Sequence, residues 1–265
     1  MNATEENMHV STAGSAIAKI ARPLVAGTHV LIVEDDVDNV ALLRAYLGDT
    51  PLTLDFALNG LEALGKRRRG EHALILMDMQ MPVMDGYAAT REIRAWEKAN
   101  GKRRVPIMAL TAHAVNGALG NSLEAGCDAH LTKPVQRDVL LDAIAEFAKH
   151  AADEEPISTE ITLRTTPAPD GGISDSTISE SIRARRPAFL ANRWRDLDKL
   201  KSSLAALDFP AIRTIAHNCK GIGTGYGFPE ISSLGLQIST AAKAFDTDKL
   251  QEHFSNFEGC LRAAA

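Results

Sequence analysis

Acidic residues come directly after two apolar runs in the first half of the sequence. The run HVLIV is followed by Glu34, Asp35 and Asp36, and the run HALILM is followed by Asp78. If both runs are strands of one parallel sheet, their carboxyl ends meet at the same edge, so these carboxylates converge. Carboxylates held so close repel one another unless a cation lies among them, and oxygen ligands favour Mg²⁺. The sequence therefore predicts a magnesium-binding crevice.

A hydroxyl group and an ammonium group follow two further apolar runs. Thr111 comes directly after VPIMAL, and Lys133 comes directly after AHLT. Phosphoryl transfer to an aspartate requires a carboxylate nucleophile, a cation and donors that neutralise the phosphoryl oxygens, and these residues together supply them. Each residue also has an ordinary use, because Asp36 and Thr111 could cap helices and Lys133 could be a surface residue. Their shared position at strand ends favours the chemical interpretation.

The apolar runs alternate with stretches of helical period between His29 and His150. The runs are HVLIV 29–33, LTLDFA 52–57, HALILM 72–77, VPIMAL 105–110 and AHLT 129–132. Four of the five runs are too apolar for a strand with one solvent-exposed face. Such uniformly apolar runs are typical of buried parallel strands. Five strands alternating with five helices predict an α/β fold with a doubly wound parallel sheet over residues 28–150.

The remainder of the chain has a different composition. Residues 1–27 are expected to form a loose arm, and residues 151–175, which carry six acidic residues and three prolines, are expected to form a flexible linker. Over residues 176–265 apolar residues recur at spacings of three and four, as at Leu190, Trp194, Leu197 and Leu200. This period predicts three or four amphipathic helices that bury their apolar stripes in an all-α bundle.

Charge and cysteine content narrow the class of protein. The formal net charge is −5, which gives no basic field for nucleic acid, and the basic run Lys66–Arg69 is expected to end a helix before Gly70. Three scattered cysteines form no metal-binding or disulfide pattern, which favours a reducing, cytoplasmic location. Because no apolar run reaches the roughly 18 residues that a membrane helix needs, membrane insertion is not expected.

A histidine in the helical segment has unusual neighbours. In AHNCKGIG, His217 is followed three and four residues later by Lys220 and Gly221, which places all three on one face of a helix. A glycine inside a helix costs roughly 1 kcal/mol relative to alanine, so it indicates that space beside the histidine must be kept clear. We expect His217 to project into solvent and meet another protein, with Lys220 pairing with a phosphoryl group on the imidazole. An ordinary surface histidine is the alternative.

The first region resembles the receiver domain of two-component response regulators. The segments VLIVEDD, LMDMQMPVMDG, LTAHA and HLTKPV match the acid pair, phospho-acceptor loop, threonine switch and Lys-Pro of that family in order and spacing. The resemblance implies a flavodoxin-like fold with Asp78 as the phospho-acceptor. It implies that Asp35 binds Mg²⁺ directly, that Glu34 binds it through water, and that the backbone carbonyl of Gln80 is a further ligand. Thr111 and Lys133 would bind the phosphoryl oxygens. His130 stands where the family usually has an aromatic switch residue.

The second region is similar to histidine-containing phosphotransfer (HPt) domains. Their pattern of His, Lys-Gly at +3 and +4 and Gly at +10 is met by His217, Lys220, Gly221 and Gly227. Extra glycines at 223 and 225 depart from the pattern and could loosen the end of the helix. The ATP-binding boxes of a histidine kinase are not found, so the chain is expected to be a phosphotransfer protein and not an autokinase.

The two resemblances imply a phosphorelay intermediate. A histidine kinase or an HPt protein would phosphorylate Asp78, and His217 would exchange phosphoryl groups with an aspartate of the same or another receiver. A second hypothesis is a docking module that is controlled by phosphorylation and in which His217 is not a relay residue. A third hypothesis is a phosphatase similar to haloacid dehalogenases. Such an enzyme requires an aspartate two residues after the nucleophile, where this chain has Gln80.

Overall fold

A five-stranded parallel sheet with flanking helices forms the first half of the molecule. The computed structural model describes residues 24–111, 118–153 and 179–264. The strands are β1 His29–Val33, β2 Thr53–Ala57, β3 Leu74–Asp78, β4 Ile107–Thr111 and β5 Ala129–Thr132, in the order β2-β1-β3-β4-β5. The helices between and after them are α1 Val37–Leu47, α2 Gly60–Arg69, α3 Gly86–Ala99, α4 Ala118–Ala125 and α5 Arg137–Asp153. The predicted doubly wound sheet is therefore confirmed, and the fold is flavodoxin-like.

Both faces of the sheet are covered, which explains why its strands are apolar throughout. Val30 and Ile32 belong to a core shared with residues of α1 and α5, whereas Leu31 and Val33 pack with residues of α2 and α3. Alternate residues of a strand point to opposite faces, so a strand between two helical layers needs apolar residues at every position. The central strand β3 is buried along its whole length.

Helix ends follow the local sequence signals. The side chain of Asp36 caps α1 by accepting hydrogen bonds from the backbone N–H groups of Asp38 and Asn39, as predicted. Helix α2 ends at Arg69, directly before Gly70, also as predicted. One residue of this basic end is not solvated, however. Arg67 is buried and its guanidinium lies 3.1 Å from the carboxylate of Glu97 on α3.

The second half of the described chain is entirely helical. It contains α6 Glu180–Arg183, α7 Arg186–Ala205, α8 Phe209–Ile222, α9 Pro229–Lys243 and α10 Thr247–Ala264. Helix α8 packs on α7 and α9, and α10 also packs on both of these helices, which gives a four-helix bundle. Helix α8 ends in a 3₁₀ turn, Gly223–Tyr226, and Gly227 then takes a left-handed conformation with φ +83°. The extra glycines thus lie in this turn, beyond the end of the helix.

The bundle packs directly against the sheet domain. Leu42 and Tyr46 of α1 share one continuous apolar core with Phe189 and Tyr226, whose rings stack with centroids 4.3 Å apart. Most of the segment predicted as a linker lies outside the described residues, as does most of the predicted N-terminal arm. Within the described ranges, every helix is too short or too polar to cross a membrane.

Candidate functional site

Three carboxylates meet at the carboxyl edge of the sheet. Strands β1 and β3 are adjacent, with Val33 opposite Met77, so the residues that follow β1 lie beside the last residue of β3. Ligand atoms of Glu34, Asp35 and Asp78 all lie within 4.8 Å of one another. The sequence predicted this convergence from the ends of the two strands. Asp78 is almost fully buried, with 2% of its surface exposed.

Lys133 is bonded to two of these carboxylates. Its Nζ donates to Glu34 Oε2 at 2.6 Å and to Asp78 Oδ2 at 2.8 Å. Although burial alone would lower the pKa of Lys133, the carboxylates of Asp78 and Glu34 raise it above its usual value. Burial raises the pKa of Glu34 to about 8, with Lys133 opposing the rise. Since the ammonium is shared between two acids, Lys133 holds its charge and fixes both side chains in the crevice.

Asp35 has the environment expected of a cation ligand. Its Oδ1 is buried and accepts no hydrogen bond from any residue in the described part of the chain. Burial, together with the nearby charge of Asp78, raises the pKa of Asp35 to about 6. A buried carboxylate oxygen without a donor is costly, and a hard cation among oxygen ligands removes that cost. The donor set of Glu34, Asp35 and Asp78 therefore fits Mg²⁺.

The loop after Asp78 is folded back onto the strand. The backbone N–H of Gln80 donates to Asp78 Oδ1 at 3.0 Å, and the N–H of Gly86 donates to the carbonyl of Met79 at 3.2 Å. A Cβ added at Gly86 would collide with the backbone oxygen of Asp78. Glycine is therefore required at this position by close approach.

Strands β4 and β5 bring their terminal residues to the same edge. Thr111 is buried at the end of β4 and lies opposite Thr132 of β5, and its carbonyl accepts from the backbone N–H of Lys133 at 2.6 Å. His130 is also buried, and burial lowers the pKa of its imidazole. The structure thus collects Thr111 and Lys133 around the crevice of Asp78.

Asn39 also lies at the crevice, and it was not predicted from the sequence. Its Nδ2 donates to Glu34 Oε1 at 3.0 Å and so completes, with Lys133, the hydrogen bonding of that carboxylate. Asn39 lies in the first turn of α1, five residues after Glu34. An amide at this position gives no sequence signal by itself, because the turn that brings it back over Glu34 is visible only in three dimensions.

His217 lies on α8 together with Lys220 and Gly221, as predicted. The prediction that the imidazole projects into open solvent is wrong for this arrangement, since His217 is half-buried and lines a cavity of about 550 Å³ between the bundle and the sheet domain. The cavity is lined from the sheet domain by residues including Asp35, Gln80 and Met81, and from the bundle by residues including Arg213, His217 and Lys243. The bundle itself covers the crevice.

Gly221 lies close to Lys133 of the candidate site. A Cβ added at Gly221 would lie 3.4 Å from Cδ of Lys133 and 4.0 Å from Nδ2 of Asn39. The glycine was predicted to clear space for a partner, and here the partner surface is supplied by the same chain. Lys220 is half-buried, and burial, followed by the charge of Lys243, lowers its pKa. Cys219 points into the bundle core and is fully buried.

A second group of potential ligands lies at the opposite edge of the sheet. His29, Asp55 and His72 have ligand atoms within 4.8 Å of one another. The ammonium of Lys66 already lies 2.6 Å from Asp55 Oδ1, and a cavity beside His72 is lined by Arg67, among other basic residues. Positive charge so close opposes a divalent cation. This cluster is therefore a weaker metal candidate than the crevice of Asp78.

Residues 30–145 match the family described as the response regulator receiver domain. The order of the strands and the acids, threonine and lysine at their ends agree with that match. This part of the chain is a receiver domain. Receiver domains of this kind operate in two-component phosphorelay signalling.

Curated relatives include much longer proteins. The chain is 36% identical to the sensor protein GacS of Pseudomonas syringae pv. syringae over 234 residues, which is 85% of this chain and 26% of that protein. It is 45% identical to the hybrid signal transduction histidine kinase G of Dictyostelium discoideum over 109 residues, 40% of this chain and 3% of that protein. The chain therefore spans about a quarter or less of the length of these two relatives.

Two solved structures are similar to the receiver domain. One is the receiver domain of the sensor histidine kinase PA1611 of Pseudomonas aeruginosa with magnesium in its active-site cleft, at 41% identity and a TM-score of 0.43, covering 47% of this chain and 99% of that one. The other comes from the complex of the Saccharomyces cerevisiae histidine phosphotransfer protein Ypd1 with the receiver domain of Ssk1, at 37% identity and a TM-score of 0.47, covering 49% and 94%.

Proposed function

We propose that the chain is a phosphorelay protein in which the receiver domain accepts a phosphoryl group on Asp78 and the helical bundle is an HPt domain that carries one on His217. The observation that carries this proposal is the shared cavity, since His217 of α8 and Asp35 of the receiver line the same space. A histidine kinase or a separate HPt protein would supply the phosphoryl group. No ATP-binding kinase domain is needed for either step.

Each residue around Asp78 has a distinct part in the first step. The carboxylate of Asp78 attacks the phosphorus of the donor in line, and as the new O–P bond forms, the bond from phosphorus to the donor's imidazole nitrogen breaks and its electron pair leaves with the imidazole. The ammonium of Lys133 and the hydroxyl of Thr111 bind the phosphoryl oxygens, and Asn39 orients Glu34 through its amide. Mg²⁺ would be held by Glu34, Asp35, Asp78 and the backbone carbonyl of Gln80, where it supplies positive charge to the phosphoryl oxygens. 

The second step depends on the imidazole of His217. In its neutral form an imidazole has a nucleophilic lone pair on one ring nitrogen. Lys220, one turn along α8, lies on the same face and would pair with the transferred group. The alignment with GacS covers 85% of this chain. Residues 1–178 make up a smaller share of the chain than that, so the alignment must extend into the helical bundle. This supports a relationship to GacS beyond the receiver.

The docking-module hypothesis retains one supporting observation. The apolar core runs without a break from α1 into the bundle, as a docking surface requires, whether or not His217 carries a phosphoryl group. In that alternative, phosphorylation of Asp78 would change how the bundle sits on α1. The two functions differ in whether His217 becomes labelled.

Mass spectrometry at neutral pH after treatment with acetyl phosphate and Mg²⁺ tests the proposal. We expect label on both Asp78 and His217 in the unchanged chain. Asp78→Asn should remove both labels, because an amide is a poor nucleophile and acetyl phosphate enters at Asp78. His217→Gln should remove only the label of the bundle. Label that is confined to Asp78 in the unchanged chain, with every tested donor, would leave the docking module as the function.

A further inference from the structure

One carboxylate of the receiver is enclosed by the helical bundle. Asp38, in the first turn of α1, accepts hydrogen bonds from Asn192 Nδ2 at 2.9 and 3.1 Å and from Arg193 Nη2 at 3.0 Å. Its backbone carbonyl accepts from the hydroxyl of Tyr226 at 3.2 Å. The side chains of Asp38 and Arg193 are 9% and 3% exposed. Two separate parts of the bundle, α7 and the 3₁₀ turn after α8, thus converge on one receiver residue.

This polar contact fixes orientation more than it adds affinity. Burial raises the pKa of Asp38, with Arg193 opposing the rise. The loss of hydration on burying two charges offsets much of their attraction, so such a pair adds little net affinity. Affinity comes instead from the apolar core around it, which Leu42 and Tyr46 of α1 share with Tyr226. A buried pair of this kind nevertheless disfavours other arrangements of the bundle, because any shift would leave the charge of Arg193 or Asp38 buried with fewer partners.

The same arrangement determines what faces the phospho-acceptor. With Asp38 held by α7 and the 3₁₀ turn, α8 lies over the crevice, Gly221 lies against Lys133, and His217 lines the cavity that reaches Asp35. The bundle contributes Arg213 and Lys243 to this cavity as well, which suits a site that must hold a phosphoryl group between two acceptors.

We propose that the helical bundle docks on the receiver of its own chain, and that the contacts of Asp38 with Asn192, Arg193 and Tyr226, here called the docking clamp, align His217 with Asp78 for transfer within one molecule. This inference rests on the proposed function and specifies the partner of His217, which is Asp78 of the same chain. Two domains that belong to one chain meet at an effective concentration on the order of millimolar. A separate receiver at cellular concentration competes poorly with such a tethered one.

The transfer itself needs no further reactant. The lone pair of an imidazole nitrogen of His217 attacks the phosphorus of phosphorylated Asp78, and an N–P bond forms as the P–O bond breaks. The electron pair of the broken bond stays on the Asp78 carboxylate, which regains its negative charge beside Lys133. The phosphoryl group retains its oxygens, so atoms and electrons balance, and the reverse reaction follows the same path.

The dependence of transfer on protein concentration tests the inference. The full chain is treated with acetyl phosphate and Mg²⁺, and the rate at which label moves from Asp78 to His217 is measured at several chain concentrations. For transfer within one molecule the first-order rate constant stays the same throughout. Asp38→Ala should lower it at least about ten-fold and make it rise with concentration, because Arg193 loses a partner in the interface. Asn192→Ala, which changes the clamp from the bundle side, should act in the same direction.

Asp142→Ala provides a matched control, since Asp142 is an exposed acid on α5 and its loss should leave the rate constant unchanged. Small-angle X-ray scattering supplies a readout that does not need phosphorylation, and Asp38→Ala should enlarge the radius of gyration. A rate constant proportional to concentration in the unchanged chain, or equal rates and equal radii for the unchanged chain and Asp38→Ala, would overturn the docking clamp while leaving relay through His217 intact. Absence of label on His217 in every variant would instead refute the proposed function, and the scattering comparison would still decide whether the clamp holds the domains together.

Discussion

Asp78 and His217, the two proposed phosphoryl carriers, are held in opposite ways. Asp78 ends a buried strand, is 2% exposed, and is bonded by Lys133 and by the backbone of Gln80. His217 lies in the middle of α8, half-buried, and the space around it is bounded by another domain. One carrier is built by the fold of its own domain, whereas the surroundings of the other are completed by docking.

This difference explains how the two sites respond to change. A site assembled from strand ends is pre-organised, because moving any member would disturb the sheet. A site completed at an interface depends on the population of the docked state, so it can be weakened without touching a reactive residue. Substitutions at Asp78 and its neighbours should therefore affect the chemical step, and substitutions along α1 and α8 should affect delivery.

The largest difference between the two sites is expected for their lysines. Lys133→Ala should slow labelling of Asp78 by acetyl phosphate on the order of 100-fold, since it removes a buried charge that stabilises the transferring group. Lys220→Ala should leave that labelling unchanged and slow the later transfer to His217 only about ten-fold, because Lys220 is partly solvated and its charge is screened. Quench-flow measurement of each step separates them. Equal losses of rate for the two variants would mean that the surroundings of His217 are as pre-organised as those of Asp78.

The same difference decides how much of the molecule the sequence could predict. The apolar runs, turn residues and acids after β1 and β3 specified the sheet and the crevice, since adjacent parallel strands must bring their ends together. The clamp at Asp38 was not predictable, because it pairs residues 154 to 188 positions apart and depends on how two independently patterned domains pack. Asp38 on its own looks like an ordinary acid in the first turn of a helix.

The prediction for His217 shows the same contrast between local sequence signals and long-range packing. The spacing of Lys220 and Gly221 predicted a helix face that is kept clear for a partner. Gly221 lies against Lys133, and a linear pattern does not specify which surface fills that space. The burial of Arg67 is a comparable case, because its partner Glu97 lies on the next helix and is 30 residues away in sequence. Local signals predicted where helices end, and the identity of long-range polar partners required the structure.

A steric change at the interface should have an intermediate effect. A Cβ at Gly225 would collide with the side chain of Leu42 and lie 3.3 Å from the hydroxyl of Tyr46 on α1. Gly225→Leu should therefore weaken docking by about 1–3 kcal/mol, as overpacking does in protein cores. We expect slower transfer to His217 and unchanged labelling of Asp78 by acetyl phosphate.

Gly259→Leu is the matched control for this substitution. Gly259 is exposed on α10, and a Cβ there would meet no heavy atom within 4 Å. The control should transfer at the rate of the unchanged chain. A Gly225→Leu protein that folds, melts like the control and still transfers at the full rate would show that the packing of the 3₁₀ turn on α1 plays no part in delivery.

The smallest expected effect is a shift in pH dependence at His217. Burial and the charge of Lys243 lower the pKa of Lys220, so its ammonium loses its proton at a lower pH than an ordinary lysine would. The rate of transfer from Asp78 to His217, normalised to phosphorylated Asp78, should then fall on the alkaline side before the usual lysine range near pH 10.4 is reached. Lys220→Arg should remove this alkaline limb, because a guanidinium stays protonated throughout. Labelling of Asp78 should show no difference between the two proteins, since Lys133 is held charged by its carboxylates. If the alkaline limb persists unchanged in Lys220→Arg, the charge of Lys220 does not act on the transferred group, and the helix face of His217 works through shape alone.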